Sequence, residues 1–326
     1  MRIIIFSEGG SNIGLGHISR CISLYNEIKK REITVDFIIN GDIEGINILK
    51  GIHFTNENWI NKNYLQNTIK ADNYIIVDSY NANIDLVKNI AKYSKKSVFI
   101  DDTGRLEYPQ GIIVNPSLNV ESLNYSQSIA KMVLSGPKYI IVKTPFVGIK
   151  REITHNSLKK ILIIMGGTDI RNLIPLFIEN VCKVLPNIKF NIVLGLKVNS
   201  KLYSDISDIS NITIHTNISA TQMVDLMVNS DTAITAAGQT IYELLATQTP
   251  FIPIQIIENQ KNNITSLLKY IPNHIVLKYD DSALSEKILN ALKVYEKASH
   301  RNKLIKNYKG LVDGYGSKRI VDKLLS

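Results

Sequence analysis

The sequence is poor in cysteine and has no long apolar run. Its only cysteines, Cys21 and Cys182, lie far apart and show no Cys-x-x-Cys or Cys/His ligand spacing. This pattern indicates a reducing compartment and argues against a structural zinc site. No apolar run approaches the ~20 residues that span a bilayer, and the first residues form a strand-like segment that lacks the pattern of a signal peptide. The sequence therefore predicts a cytoplasmic protein without stable membrane insertion.

The charge is positive but not concentrated. Lys and Arg number 38 against 29 Asp and Glu, a formal net charge of +9. Short basic runs, such as Lys29-Lys30-Arg31 and Lys159-Lys160, are not interleaved with aromatic residues. A nucleic-acid-binding surface normally shows such a concentrated basic patch or stripe. The charge pattern thus favours a general preference for anionic partners over a nucleic-acid-binding stripe.

The order of apolar and amphipathic segments predicts an α/β fold. Short β-branched runs alternate with helical segments, which is typical of a parallel sheet covered by helices on both faces. A chain of 326 residues is long for one core. We therefore expect two domains, 1–150 and 151–326, with the last helix able to pack back on the first domain. Runs predicted as strands are 2–6, 33–40, 73–78, 97–102, 159–165, 190–195, 213–215, 232–235 and 250–254.

The most informative motif opens the first helix. Gly14 and Gly16 allow a ligand to approach the backbone closely, and the first N–H groups of a helix have no partner within the helix. His17 falls in the first turn, where the helix macrodipole favours a neutral imidazole able to accept a proton. Arg20 lies on the same face and suits a carboxylate or phosphate. A simple cap or surface histidine is the alternative interpretation of this stretch.

Further polar residues follow other predicted strands, where α/β sheets bind their ligands. Asp78, Tyr80, Asp101 and Asp102 come at the ends of two strands in the first half. In the second half, Gly166-Gly167-Thr168-Asp169 and Ala237-Gly238-Gln239-Thr240 each precede a helix and can receive phosphate oxygens. The first of these could equally be a tight turn that ends in an N-cap. Glu243 could accept hydrogen bonds from a ribose, and Asn259 and Gln260 follow the next strand; a solvated carboxylate and a polar helix start are the alternatives.

These motifs together resemble the GT-B superfamily of nucleotide-sugar enzymes. Within it the chain is most similar to the PseG-like UDP-sugar hydrolases of pseudaminic acid biosynthesis and to spore-coat polysaccharide proteins. The matching motifs run in order from residue 14 to residue 260 and are Gly14-Leu15-Gly16-His17 with Arg20, Val77-Asp78-Ser79-Tyr80, Asp101-Asp102, Gly136-Pro137-Lys138-Tyr139, Met165 to Asp169 with Asn172, and Glu258-Asn259-Gln260. Two motifs depart from the family. Lys143 stands where an arginine is usual, and Ala237-Gly238-Gln239-Thr240 replaces a form richer in serine and glycine.

The resemblance implies two Rossmann-type doubly wound domains facing across a cleft, with the sugar on the first and UDP on the second. It implies catalytic roles for His17, Tyr80 and Asn259. Substrate binding is then expected from Gly14, Gly16, Arg20, Asp78, Lys143, Gly166, Gly167, Thr168, Asp169, Ala237, Gly238, Gln239, Thr240, Glu243 and Gln260.

The expected reaction is release of UDP by hydrolysis of a UDP-sugar, with His17 as general base. It needs no metal ion or other cofactor, since no Asp-x-Asp metal motif occurs. A GT-B glycosyltransferase using the same donor is the alternative, and a nucleotide-sugar-binding protein without catalysis is a third interpretation.

Overall fold

A computed structural model of the chain describes residues 1–11, 13–119, 125, 128–151, 155–167, 169–195 and 209–326. The chain forms two compact units. The first comprises Met1–Thr144 and Gly314–Ser326, and the second comprises Pro145–Asp313. The sequence placed the division after residue 150, whereas the structure places it after Thr144. The last helix belongs to the first unit.

The first unit is a seven-stranded parallel sheet with the order β3-β2-β1-β4-β5-β6-β7. Its strands are β1 (Arg2–Gly9), β2 (Thr34–Gly41), β3 (Thr55–Asn56), β4 (Tyr74–Asp78), β5 (Lys96–Ile100), β6 (Ile112–Asn115) and β7 (Met132–Ser135). Its helices are α1 (Gly16–Lys29), α2 (Ile43–Asn47), α3 (Lys62–Thr68), α4 (Ile84–Tyr93) and the C-terminal helix α11 (Gly316–Leu325). A 3-10 turn covers Pro137–Tyr139.

Apolar residues on both faces of this sheet build its core. Successive strand residues point to opposite faces, so an unbroken apolar run such as 3–6 supplies both. On one face Ile3 and Ile5 pack with Ile18 of α1 and with Ile320 of α11. On the other face, a cluster is formed by Ile4, Phe6, Ile75, Val77, Trp59, Leu86 and Ile90. This packing fixes the start of α1 beside the carboxyl ends of β1 and β4.

The second unit repeats this architecture with a six-stranded parallel sheet of order β10-β9-β8-β11-β12-β13. Its strands are β8 (Lys160–Ile164), β9 (Lys189–Leu194), β10 (Ile212–Thr216), β11 (Thr232–Ala236), β12 (Phe251–Gln255) and β13 (Leu277–Lys278). Its α-helices are α5 (Leu173–Phe177), α6 (Ala220–Val228), α7 (Thr240–Ala246), α8 (Lys261–Tyr270), α9 (Leu284–Glu296) and α10 (Ala298–Tyr308). A π-helical turn covers Ile178–Cys182, and 3-10 turns cover Thr144–Phe146 and Glu258–Gln260.

A buried histidine in the second unit predicts a loss of stability in acid. His274 packs on Phe251, its Nε2 lies 2.7 Å from the Tyr308 hydroxyl oxygen, and burial lowers its pKa from 6.5 to about 4. The unfolded chain therefore takes up this proton below pH 6.5, whereas the folded chain does so only near pH 4. The contribution of His274 to the free energy of unfolding is expected to fall as the pH drops through this window, by about 2 kcal/mol at pH 5.

Urea unfolding at pH 7 and pH 5 tests this expectation, followed by circular dichroism for both units and by Trp59 fluorescence for the first unit. His274→Gln should reduce the pH dependence of the second unit. His53→Gln, which removes an exposed imidazole, should retain it. An unchanged pH dependence in His274→Gln would contradict the expectation.

Candidate functional site

The first part of the site is the start of α1. Gly10 and Gly14 form an antiparallel bridge that closes the loop before the helix. Gly14 has φ +85°, a conformation that favours glycine, and an added Cβ at Gly14 or Gly16 would meet no atom within 4 Å. Leu15 occupies the N-cap and makes no side-chain capping hydrogen bond. The helix therefore begins with backbone N–H groups that no capping side chain satisfies, beside open space.

His17 lies in this first turn and is held by a buried carboxylate. Its Nδ1 is 2.5 Å from Oδ1 of Asp78, the last residue of β4. His17 is 3% exposed and Asp78 is fully buried. Nδ1 also lies 3.0 Å from Nη2 of Arg20, which can only donate. The carboxylate is the closer partner and can only accept, so we assign the hydrogen to Nδ1, which leaves the lone pair on Nε2. This is the tautomer that a general base needs.

Arg20 joins two carboxylates behind His17. Its guanidinium donates to both oxygens of Asp78, at 3.0 and 2.9 Å, and to Oδ2 of Asp102 at 2.5 Å. Burial by itself would raise the pKa of the Asp78 carboxyl, but the charge of Arg20 and the hydrogen bonds from His17 and Arg20 outweigh it and hold that pKa below its usual range. The same balance, with Arg20 as the main opposing charge, lowers the pKa of Asp102.

Tyr80 completes the cluster from the loop after β4. Its hydroxyl donates to Oδ1 of Asp102 over 2.7 Å, and its ring meets the His17 ring edge to face at a centroid distance of 4.3 Å. Burial and the nearby charge of Asp102 raise the pKa of the Tyr80 hydroxyl, so that it stays a donor. Tyr80 is nevertheless 44% exposed. The cluster thus presents one partly exposed tyrosine beside an imidazole fixed by a buried ion pair.

Two residues of the first unit that were expected to bind substrate are buried against each other. Arg20 and Asp78 were expected to bind substrate, but both are buried and bond to each other, so their place is behind His17. Asp101 is also buried, and its Oδ1 accepts from Thr103 and Gly104, which shapes the turn after β5. Lys143 is exposed and lies next to Thr144, where the first segment of the first unit ends.

In the second unit, the loop after β8 contains Gly166 and Gly167. An added Cβ at either glycine would meet no atom within 4 Å, and Gly166 has φ +83°. Thr168 lies outside the described residues. Asp169 accepts from the backbone N–H groups of Leu173 and Ile174, at 2.9 Å each. Its carboxylate therefore caps α5, as the tight-turn interpretation of this motif implies, and it already occupies the helix end that a phosphate was expected to reach.

The loop after β11 is held by amide side chains. Gln260 is buried, its Oε1 accepts from the N–H of Ile256, and its Nε2 lies 3.7 Å from a Cβ added to Gly238. Asn263 Nδ2 donates to the carbonyl of Ala237 over 3.0 Å and its Oδ1 accepts from Tyr242. Sequence reasoning missed Asn263 and Tyr242, although they lie one turn beyond Gln260 and Gln239.

The remaining predicted residues of the second unit are close in sequence to Gly238 and Gln260. Gln239 is the exposed N-cap of α7, Thr240 is its first residue, and Glu243 is half-buried in its first turn. Asn259 is exposed in the 3-10 turn after β12. The structure therefore groups His17, Arg20, Asp78 and Tyr80 in the first unit, whereas Asn259 and the loops at 166–167 and 237–240 belong to the second.

A separate cavity of about 520 Å³ lies in the second unit among the residues that the structure describes. It is lined by strand residues of β8, β9 and β10 and by one face of α6, including Lys160, Asn191, His215 and Asp225. None of the predicted site residues lines it. Across the described ranges, no cluster of three or more His, Cys, Asp or Glu side chains is arranged to hold a metal ion, and no helix there could cross a bilayer.

No protein-family model matches the chain, but curated proteins are similar in sequence. An uncharacterized protein of Methanocaldococcus jannaschii is 30% identical over 290 residues, which is 83% of this chain and 59% of that protein. A Helicobacter pylori protein, named pseudaminic acid cytidylyltransferase and UDP-2,4-diacetamido-2,4,6-trideoxy-beta-L-altropyranose hydrolase, is 25% identical over 76% of this chain and 43% of its own length. The match thus spans about half the length of these two relatives. The Bacillus subtilis spore coat polysaccharide biosynthesis protein SpsG is 25% identical over 80% of this chain and 79% of its own length.

Solved structures establish the fold. A glycotransferase of kitacinnamycin superposes with a TM-score of 0.67 at 14% identity, covering 100% of this chain and 99% of that one. MurG of Acinetobacter baumannii gives 0.66 at 11% identity, with the same coverage. A pneumococcal O-GlcNAc transferase in complex with UDP and GlcNAc gives 0.62 at 10% identity, covering 100% and 98%. The chain has the GT-B fold, with two α/β units that each contain a parallel sheet, which confirms the fold class predicted from the sequence.

Proposed function

We propose that this protein is an enzyme that acts on UDP-sugars and that it releases UDP by hydrolysis, with His17 as general base. The observation that carries the proposal is the His17–Asp78 pair at the uncapped start of α1. The names of the relatives in Helicobacter pylori and Bacillus subtilis support a nucleotide-sugar reaction in pseudaminic acid or polysaccharide biosynthesis. We propose the substrate named for the Helicobacter protein, UDP-2,4-diacetamido-2,4,6-trideoxy-β-L-altropyranose.

In the proposed reaction a water oxygen bonds to the anomeric carbon while the bond from that carbon to the diphosphate oxygen breaks. The water proton passes to Nε2 of His17, and the electron pair of the broken bond leaves on UDP. Asp78 holds the reactive tautomer and stabilises the imidazolium that forms, and Arg20 keeps Asp78 ionised. Tyr80, beside the imidazole, orients the sugar or the water.

The second unit is proposed to bind the UDP portion. Backbone N–H groups at Gly166, Gly167 and 238–240 act as donors to the diphosphate, where negative charge develops as UDP leaves. Glu243 is proposed to accept from the ribose hydroxyls, and Asn259 and Gln260 to orient the sugar diphosphate. Thr168 and Lys143 remain proposed substrate contacts. The proposed chemistry uses these protein donors and no metal ion.

A GT-B glycosyltransferase is the second candidate, because the fold neighbours include transferases. In that case an acceptor alcohol takes the place of water with the same donor site and the same base. A protein that binds UDP-sugars without turnover would retain binding when His17 is replaced.

Measuring UDP release without any acceptor tests the proposal. The UDP-linked diacetamido-trideoxy sugar, its epimers and UDP-N-acetylglucosamine are incubated with the protein, with and without EDTA. The hydrolase proposal expects release without acceptor that EDTA leaves unchanged. Release only after addition of a cell-lysate acceptor would support the transferase, and binding without any release would reject both.

The two glycines of the first loop give a further prediction. Gly14→Ala places a Cβ on a backbone with φ +85° and is expected to lower the free energy of unfolding by about 1–2 kcal/mol. Gly16→Ala starts a helix without such strain, so stability should not fall. If the sugar approaches this backbone, the added methyl costs about 1–3 kcal/mol of binding, and KM rises about 5- to 150-fold. An unchanged KM in Gly16→Ala would contradict the proposed sugar position.

A further inference from the structure

Glu8 is a fully buried carboxyl that the proposed reaction does not use. It lies near the end of the central strand β1, where a buried polar group is costly unless its oxygens are hydrogen-bonded. None of the ion pairs among the described residues involves Glu8. Its oxygens accept from the loop after β4. Oε1 accepts from the backbone N–H groups of Tyr80, at 2.6 Å, and of Asn81, at 3.2 Å, while Oε2 accepts from Nδ2 of Asn81 at 3.1 Å.

These bonds act on the backbone of the residue that contacts His17. The preceding turn also has hydrogen bonds of its own. The Ser79 hydroxyl accepts from Ala82 and shares the N–H of Asn81 with Glu8, and Arg105 donates to the Ser79 carbonyl. Glu8 is bonded to the N–H of Tyr80 itself. The side chain of Tyr80 then extends to Asp102 and His17. Glu8 therefore holds the backbone of Tyr80, and Asp102 holds its hydroxyl.

We infer that Glu8 is a positioning residue, which holds Tyr80 against His17 through the backbone of residues 80 and 81. The inference rests on the proposed function in so far as it concerns turnover. Misplacing a group at a reacting centre by about 1 Å can lower the rate about 100-fold. Loss of the acceptor at Glu8 should therefore lower turnover although Glu8 does not touch the substrate.

Three substitutions separate this role from general destabilisation. Glu8→Met has a similar length but no acceptor, and we expect kcat to fall about 10- to 100-fold. Glu8→Gln retains Oε1 for the two backbone N–H groups, and its amide can donate to Asn81 after that side chain turns, so kcat should stay within about threefold. Glu8→Asp retains the charge but is one methylene shorter, and an intermediate loss is expected. If Glu8→Met does not fold, the comparison of Glu8→Asp with Glu8→Gln still tests the inference, because kcat should fall further in Glu8→Asp.

A double-variant cycle tests whether Glu8 acts through Tyr80. In a Tyr80→Ala background, Glu8→Met should cause no further fall in kcat, because the side chain that Glu8 positions is gone. A purely structural role would lower kcat by the same factor in both backgrounds. Equal factors would overturn the inference.

Two measurements do not depend on turnover and so distinguish failure of the inference from failure of the proposed function. Hydrogen exchange should be slow at the Tyr80 amide in the wild-type protein and in Glu8→Gln, and fast in Glu8→Met. With ring-labelled histidine, the His17 NMR signal should shift in Tyr80→Ala and move in the same direction in Glu8→Met. Slow exchange at Tyr80 and an unshifted His17 signal in Glu8→Met and Glu8→Asp would overturn the inference even if UDP release is observed.

Discussion

Replacing His17 with alanine is expected to lower kcat for UDP release by about 10²- to 10⁴-fold, the usual contribution of a general base. The substitution removes the proposed general base and leaves intact the loops of the second unit that we propose to bind UDP. KM should therefore change much less than kcat. The measurement is a steady-state assay of UDP release from the best substrate of the panel, with UDP binding measured in parallel.

His53→Ala is the matched control, because it removes an exposed imidazole from the same unit. It should leave kcat within about twofold of the wild-type value. The role of His17 as base would be contradicted if His17→Ala retained wild-type kcat while folding normally.

Replacing Arg20 with methionine is expected to destabilise the first unit by about 3–5 kcal/mol, because it leaves the buried Asp78 and the largely buried Asp102 without their cation. Asp78 then retains the hydrogen bond from His17, and Asp102 retains that from Tyr80, but neither has the guanidinium that balanced its charge. Trp59 is the only tryptophan, is fully buried in this unit, and donates to the Ser7 carbonyl. Its fluorescence during urea unfolding therefore reports this loss directly.

Arg31→Met provides the comparison, because Arg31 also bonds two carboxylates, of Glu27 and Asp322, but near the surface. Exposed pairs contribute about 0–1 kcal/mol, so a small effect is expected. Equal losses in the two variants would show that the buried network is no more important to stability than a surface pair.

Much of the fold could be predicted because the parallel strands are continuous apolar runs. All four strands predicted in the first half and all five predicted in the second correspond to strands of the structure. Among the strands that were missed, β6 is a fully buried run that the sequence analysis did not identify, and the other three have weaker patterns. β3 and β13 contain two residues each, and β7 has two exposed residues, so neither length nor burial marks them in the sequence.

The sequence predicts the placement of single site residues in their motifs, but not the contacts between residues on different elements. His17, Asp78 and Tyr80 each follow a strand or open a helix, and that placement is visible in the sequence. The pairing of Arg20 with Asp78 depends on the sheet order, which places β4 beside β1, and on the rotation of α1. Asp169 shows that one motif can predict two structures. The Gly-Gly-Thr-Asp pattern fits a phosphate-binding loop as well as the helix cap that Asp169 forms in the structure.

The central claim is that water attacks the anomeric carbon of a UDP-sugar without an acceptor. Turnover in H₂¹⁸O, with the released UDP analysed by mass spectrometry, tests it most directly. Attack at carbon breaks the carbon–oxygen bond and yields UDP without label, and this release should fall in His17→Ala. UDP that carries ¹⁸O would show attack at phosphorus, and no UDP without an added acceptor would show that the protein is not a hydrolase.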